Sequence, residues 1–300
     1  MYEQIAANKR KTFLLILGFV VLLTAVGLAF NYFLQGGVVG IVIVAAIVIA
    51  SSFFSYYNSD KVALRVSHAV PADPEQYARF HNLVEGLCIA SGLPKPRLYI
   101  VDDPAPNAFS TGRNPKHAAI AATTGLLDKM NRVELEGVLA HELSHIRNYD
   151  VLVMTIAVTM VGMIALLSDF FLRWGWFIGG RRRDEESGGP LTWIFALVGF
   201  VLLIFAPIIA ALMQFAVSRR REYLADASGV QMTRYPPGLI SALKKLEDDH
   251  TVTHFASKAT AHLWIEEPLD TESDRRDSKL NHLFDTHPPI EDRIHALEAM

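Results

Sequence analysis

The sequence predicts a mainly helical α+β protein carried on four membrane-spanning helices. Three observations lead there. Four long apolar runs, 12–33, 38–54, 151–172 and 191–217, are nearly free of charge and long enough to cross a hydrocarbon core. Between the second and third, helical periodicity gives way to short alternating β-rich segments. A His-Glu-Leu-Ser-His pattern at 141–145 sits in a stretch with strong helix signals.

Composition sets the first bounds. Hydrophobic residues make up 51% of the 300 and charged residues only 20%. Mean hydropathy is positive. A soluble chain of this length would not gather its apolar residues into such runs, so the lipid bilayer is an expected partner. The net charge of −3 and the lack of a basic stripe with interleaved aromatics argue against a nucleic-acid partner. Cys88 is the single cysteine, which excludes an internal disulfide and leaves no Cys-based metal site. It reads as a small buried hydrophobe on an amphipathic helix.

The 141–145 pattern carries the chemistry. Asn131 is placed to cap the helix, and Glu134 three residues on completes a capping box. On that helix His141 and His145 project from one face, one turn apart, the spacing at which two neutral imidazoles share one Zn²⁺. Glu142 sits beside the first His, where its carboxylate reaches an attacking water rather than the metal. Chance alone also produces this pattern, so the rest of the chain has to support it.

In chain order, residues 1–57 form a membrane hairpin. Lys9-Arg10-Lys11 precede the first run, which exceeds the apolar core of a signal peptide and is followed at once by a second run. Residues 58–150 form a catalytic part. Pro71-Ala72-Asp73-Pro74 is expected to start an amphipathic helix reaching about Ser91, with Phe80, Leu83, Val84 and Leu87 on one face. Residues 97–101 and 117–124 read as strands, the latter as an edge to which an extended peptide could add. Residues 151–217 form a second hairpin whose polar loop, 173–190, contains Arg181-Arg182-Arg183. Residues 218–300 complete the catalytic part, beginning with Arg219-Arg220-Arg221 as a basic collar at a cytoplasmic membrane face. A helix over 222–246, broken near Pro236-Pro237, and a terminal helix from about Ile290 follow.

A catalytic zinc takes three protein ligands and keeps one position open. Glu222 is the best third candidate, with Asp226 one turn further on the same face to accept the second N–H of a ligand histidine. His145 lies six residues before the third run, and Glu222 five residues after the fourth. If both helices continue out of the bilayer, the two ligand sets stand at similar heights above it. The remaining histidines are read as structural or surface residues.

At these residues the chain resembles the HtpX-type membrane zinc metalloproteases, kin to the CAAX prenyl endopeptidases. The resemblance rests on His141-Glu142-Leu143-Ser144-His145, on Arg220-Arg221-Glu222-Tyr223-Leu224-Ala225-Asp226, on Asn107-Ala108-Phe109-Ser110-Thr111-Gly112, and on Thr286-His287-Pro288-Pro289 with Arg293. It implies a gluzincin-like fold with one zinc ion on His141, His145 and Glu222, and Glu142 as catalytic base. It further implies that Asn107 binds substrate, that His287 lines the cleft, and that Arg293 supports the zinc glutamate. Polypeptide substrates are implied, membrane proteins among them, with a role in quality control at the cytoplasmic face of a bacterial inner membrane. In that setting His287 is suited to donate to an oxyanion.

Two rival readings are a transporter or scaffold with a structural zinc, and proteolysis within the bilayer. Glu142 argues against the first, because a closed site needs no base. Arg147, Asn148 and 219–221 argue against the second, because they surround the ligands with polar groups. Topology is where the sequence argues with itself. The charges at 9–11, Lys61 and Arg65 place the catalytic part inside, yet a crossing second hairpin puts Arg181-Arg182-Arg183 outside, against the charge bias.

Overall fold

The two N-terminal apolar runs lie within two long helices, α1 (Tyr2–Phe33) and α2 (Gly37–Val66), which extend beyond them into charged sequence. The computed structural model describes residues 2–33, 35–180, 219–251, 263–265 and 288–300. Among these, three helical stretches are long and apolar enough to cross a membrane: Ile5–Tyr32, Gly37–Val66 and Asp150–Asp169. The expected fourth run, 191–217, lies outside the described residues. So does 181–190, and of the loop expected over 173–190 the described part, 173–180, is helical. It belongs to helix α6 (Asp150–Gly180), with Arg173 bound one turn back to Asp169 at 2.7 Å.

The polar part is an α+β unit. After strand β1 (Val70–Pro71), helix α3 (Ala78–Ser91) begins later than the expected start at 71–74. The Asp73 carboxylate explains the delay. It accepts from the N–H groups of Glu75 and Gln76, each at 2.9 Å, and holds the segment as a turn. Gly92, at φ 69°, ends α3 in the left-handed conformation that favours glycine. Strands β2 (Arg97–Val101), β3 (Ala108–Gly112) and β4 (Ala118–Thr123) follow, then α4 (Thr124–Lys129) and α5 (Arg132–Arg147).

The sheet order is β1-β2-β4-β3. Strand β4 runs parallel to β2, pairing Tyr99 with Ala121, and antiparallel to β3, pairing Ser110 with Ile120. It is therefore paired on both sides, and the expectation of a free edge at 117–124 is corrected: the edge strands are β1 and, beside β4, β3. Part of that edge is covered. Trp264 bridges Phe109 antiparallel, and Ile265 N–H donates to Ala108 O at 2.9 Å.

Alternation along the strands splits the core in two. Ala108, Ile120 and Ala122 face Leu135, Leu139 and Leu143 of α5 and the buried side of α3. Ala119, Ala121 and Phe109 face the other way, against Ala63 and Leu64 of α2 and Met154 and Val158 of α6. The sheet thus rests directly on two of the long helices. Cys88 is buried in the first core, as its position on α3 suggests.

After α6 the described chain resumes with α7 (Arg219–Thr233), α8 (Pro236–Asp248) and, later, α9 (Ile290–Glu298). The capping box forms as read: the Asn131 side chain accepts from the N–H groups of Val133 and Glu134, and Glu134 accepts from Asn131 N–H at 2.8 Å. Glu134 also fastens α8, accepting from Ser241 Oγ and Lys245 Nζ, each at 2.7 Å. Burial pushes its carboxyl pKa up, but these donors outweigh burial and hold it below the usual value.

Glu134→Ala strips a cap and leaves buried donors unmatched, so it should cost about 1–3 kcal/mol in unfolding of the detergent-solubilised protein. Because the folded-state pKa is lowered, this stability is present above the ordinary value of 4.5. It is lost as pH falls through the lowered value. The gap between wild type and variant should therefore narrow in acid; a gap that widens would contradict the assignment.

Candidate metal centre

Helix α5 presents His141 and His145 one turn apart, and α7 lies close against that face. The approach depends on Gly229, where an added Cβ would stand 3.1 Å from the His141 backbone nitrogen. Glu222, Asp226 and Gly229 recur at four- and three-residue intervals, which sets them on one face of α7. The helix contact that Gly229 permits thus carries Glu222 to the two histidines.

The resulting cluster is dry. His141 and Glu222 are fully buried, and His145 is 5% exposed. The two Nε2 atoms are 3.1 Å apart. Glu222 Oε2 lies 3.5 Å from His141 Nε2, and its Oε1 lies 3.6 Å from His145 Nε2. Among the described residues this is the one group of three His, Cys, Asp or Glu side chains whose ligand atoms all fall within 4.8 Å of one another. Ligands at zinc–nitrogen distances around a tetrahedral ion sit about 3.3–3.4 Å apart, close to these separations.

Each imidazole turns its other nitrogen to a carboxylate. His141 Nδ1 meets Asp226 Oδ1 at 2.8 Å, and His145 Nδ1 meets Asp150 Oδ2 at 3.2 Å. With Nδ1–H donating outward, both Nε2 lone pairs converge on one point, an arrangement a cation satisfies. Charge count agrees. Four buried carboxylates (Glu142, Asp150, Glu222 and Asp226) face two buried guanidiniums (Arg221 and Arg293). Two negative charges are left over, matching one divalent cation with neutral histidines. The residues fit a metal ion on donor chemistry, spacing and charge.

The electrostatics follow from burial and these pairs. Burial pushes the His141 pKa down, but Asp226 and Glu222 outweigh it and hold it up at about 9. Burial likewise opposes the upward shift of His145, which Glu222 and Asp150 produce. For Asp226 burial pushes up, and Arg293 overrides it, keeping the carboxyl at about 2. Metal entry therefore has to displace a proton from His141, and uptake releases protons.

Other expected residues fall variously. Glu142 is buried on α5 beside His141. Arg293 grips Asp226 with two bonds, 2.9 Å from Nε and 2.7 Å from Nη2, and stands 4.0 Å from Glu222. Asn107 is buried at the head of β3, its Oδ1 accepting from Ala108 N–H at 3.0 Å. His287 lies outside the described residues. Arg221 corrects the reading of a basic collar: Arg220 is exposed, but Arg221 is buried with Nε 3.5 Å from Asp150 Oδ1.

Sequence reasoning missed Asp150 and Asn8. Asp150 heads α6, where an acid is explained by the helix dipole alone. Its place five residues past the second histidine was the available signal. Asn8 comes from α1 and had none. Its buried Nδ2 donates to Asp150 Oδ1 at 2.7 Å and to Asn148 O at 2.8 Å, tying the first long helix to the partner of His145.

Comparison with known proteins agrees with this site. The model of peptidase family M48 matches residues 74–300. A protease HtpX homolog of Caldanaerobacter subterraneus subsp. tengcongensis is 46% identical over 301 residues, covering all of this chain and 98% of that protein. One from Lactobacillus acidophilus is 45% identical over 304 residues, covering both chains fully. Among solved structures, the crystal structure of S. mikatae Ste24p shares the fold at a TM-score of 0.50 and 15% identity, over 99% of this chain and 67% of that one. With the family match running through both helices of the cluster, the chain belongs to peptidase family M48, and it is a metalloprotease built on membrane helices.

Proposed function

We propose that this protein is a zinc-dependent endopeptidase that cuts misfolded or damaged membrane proteins at the cytoplasmic face of a bacterial inner membrane, as part of quality control under stress. The convergence of His141, His145 and Glu222 on one dry point, with Glu142 adjacent, carries the reading. Basic residues at 9–11, Lys61 and Arg65 support a cytoplasmic site. The direct seat of the sheet on α2 and α6 supports substrates that come from the membrane.

His141, His145 and Glu222 would hold one zinc ion per chain. When bound, zinc supplies a polarised scissile carbonyl and a water acidified toward a pKa of about 7. Glu142 receives the proton of the attacking water on its carboxylate and returns it to the leaving nitrogen. His287 donates to the oxyanion, and Asn107 holds substrate backbone beside β3. Asp226 and Asp150 keep the imidazoles in the tautomer whose Nε2 faces inward, and Arg293 keeps Asp226 ionised in its two-bond grip.

Glu142→Gln should retain one zinc per chain by metal analysis while hydrolysis of an unfolded membrane protein drops about 10²–10⁴-fold. Loss of metal with activity kept would reverse the roles. Glu222→Ala should abolish tight metal retention, whereas Asp226→Asn and Asp150→Asn should each weaken it by about 10–100-fold, read by competition with a chelator. Unchanged retention in Glu222→Ala would place the third ligand elsewhere.

Sidedness has its own test, in a Cys88→Ser background. Glu75→Cys, on the exposed turn before α3, should react with a membrane-impermeant thiol reagent only after lysis of the cells. Ser187→Cys, outside the described residues, should react from outside intact cells if the second hairpin crosses. Reaction of Ser187→Cys only after lysis would leave the metal site in place and replace four spans with a hairpin that dips into the bilayer.

A further inference from the structure

A cavity of about 1140 Å³ opens where α1 meets the α+β unit, away from the metal ligands. Its wall has two chemistries. Phe13, Ile16, Ile89 and Leu152 make an apolar side, and Lys9, Arg113 and Lys116 supply cations. No carboxylate lines it, and none of the three cations is ion-paired among the described residues. Two of them are held in place by aromatic rings. Lys9 Nζ lies 4.7 Å from the Tyr149 ring centroid, and the Arg113 guanidinium lies 4.9 Å from that of Tyr57.

The height of this cavity is set by α1. Thr12 opens the charge-free run, so Phe13 and Ile16 stand at hydrocarbon depth, while Lys9 lies three residues, about 4.5 Å, above. Thr12 itself lines the cavity. The volume exceeds the usual range of small-molecule sites, about 300–1,000 Å³, and takes a headgroup, a glycerol and the first methylenes of two chains.

We propose that this cavity holds one anionic phospholipid of the adjoining leaflet, with its phosphate against Lys9, Arg113 and Lys116 and its chains along Phe13 and Ile16. Cations without counter-ions above an apolar wall at membrane depth match a lipid phosphate. The lipid fills the gap between α1 and the α+β unit, one residue from Asn8 and its bond to Asp150.

Native mass spectrometry of the full chain in a neutral detergent tests this, with phosphatidylglycerol, phosphatidylethanolamine of the same chains, and soluble glycerol 3-phosphate as probes. One phosphatidylglycerol should stay bound at concentrations where phosphatidylethanolamine and glycerol 3-phosphate do not. Lys116→Gln with Arg113→Gln should weaken it about 25-fold, roughly fivefold per cation. Ile89→Trp, at an exposed position of α3 that keeps all the charge, should block it by bulk. If the double variant fails to elute as a folded species, Ile89→Trp carries the test alone. Equal retention of both lipids, equal retention by wild type and Ile89→Trp, or binding of glycerol 3-phosphate as tight as that of the lipid would overturn the proposal. So would cross-linking of a peptide substrate, in place of lipid, from a photo-reactive group at Ile89.

Discussion

A cluster of buried charge with a net deficit of two is the constraint around which this protein is arranged. Four carboxylates and two guanidiniums sit almost without solvent where α5, α6, α7 and α9 meet. Unbalanced charge in such a place is costly, and Asp226 and Asp150 each draw partners from distant segments. Asp226 takes His141 and Arg293; Asp150 takes His145, Asn8 and Arg221. The remaining imbalance is what a divalent cation offsets, so metal binding and folding are coupled: an ion that binds only the native arrangement stabilises it.

That arrangement explains why the polar unit is not a module hung from a membrane anchor. Helix α5 ends at Arg147, and α6 starts three residues later, so the motif helix turns almost directly into a membrane stretch. Tyr149 takes φ 61° to make that corner. Helix α2 runs on to Val66 and packs Ala63 and Leu64 under the sheet. Asn8 adds a third connection. A shift of α1 or α6 relative to α5 changes the hydrogen bonds of Asp150, the partner of His145.

Much of this was legible in the sequence where a signal is local. The capping box at Asn131 and Glu134, the histidine spacing, the break at Pro236 and the last helix at Ile290 all depend on neighbours within one or two turns. What was not legible depends on packing between distant segments. Asp150 and Arg221 are ordinary residues for a helix start and a membrane collar, and only their burial against each other reveals another role. Strand β4 looked like an edge because its residues are small and apolar, but small residues also suit a strand covered on both faces and paired on both sides. The late start of α3 turned on one side chain, since Asp73 prefers two turn N–H groups to a helix cap.

The covered edge of β3 has a thermodynamic consequence. Ile265 N–H already occupies the Ala108 carbonyl, and the Trp264 ring stacks edge-on against Phe109 with centroids 4.7 Å apart. A polypeptide joining β3 as an extra strand would have to compete with the chain's own 263–265 segment for the same backbone groups. Its apparent affinity is then the intrinsic affinity scaled by the fraction of time that segment stands aside. An added strand would thus find part of the β3 edge already paired by the protein's own backbone.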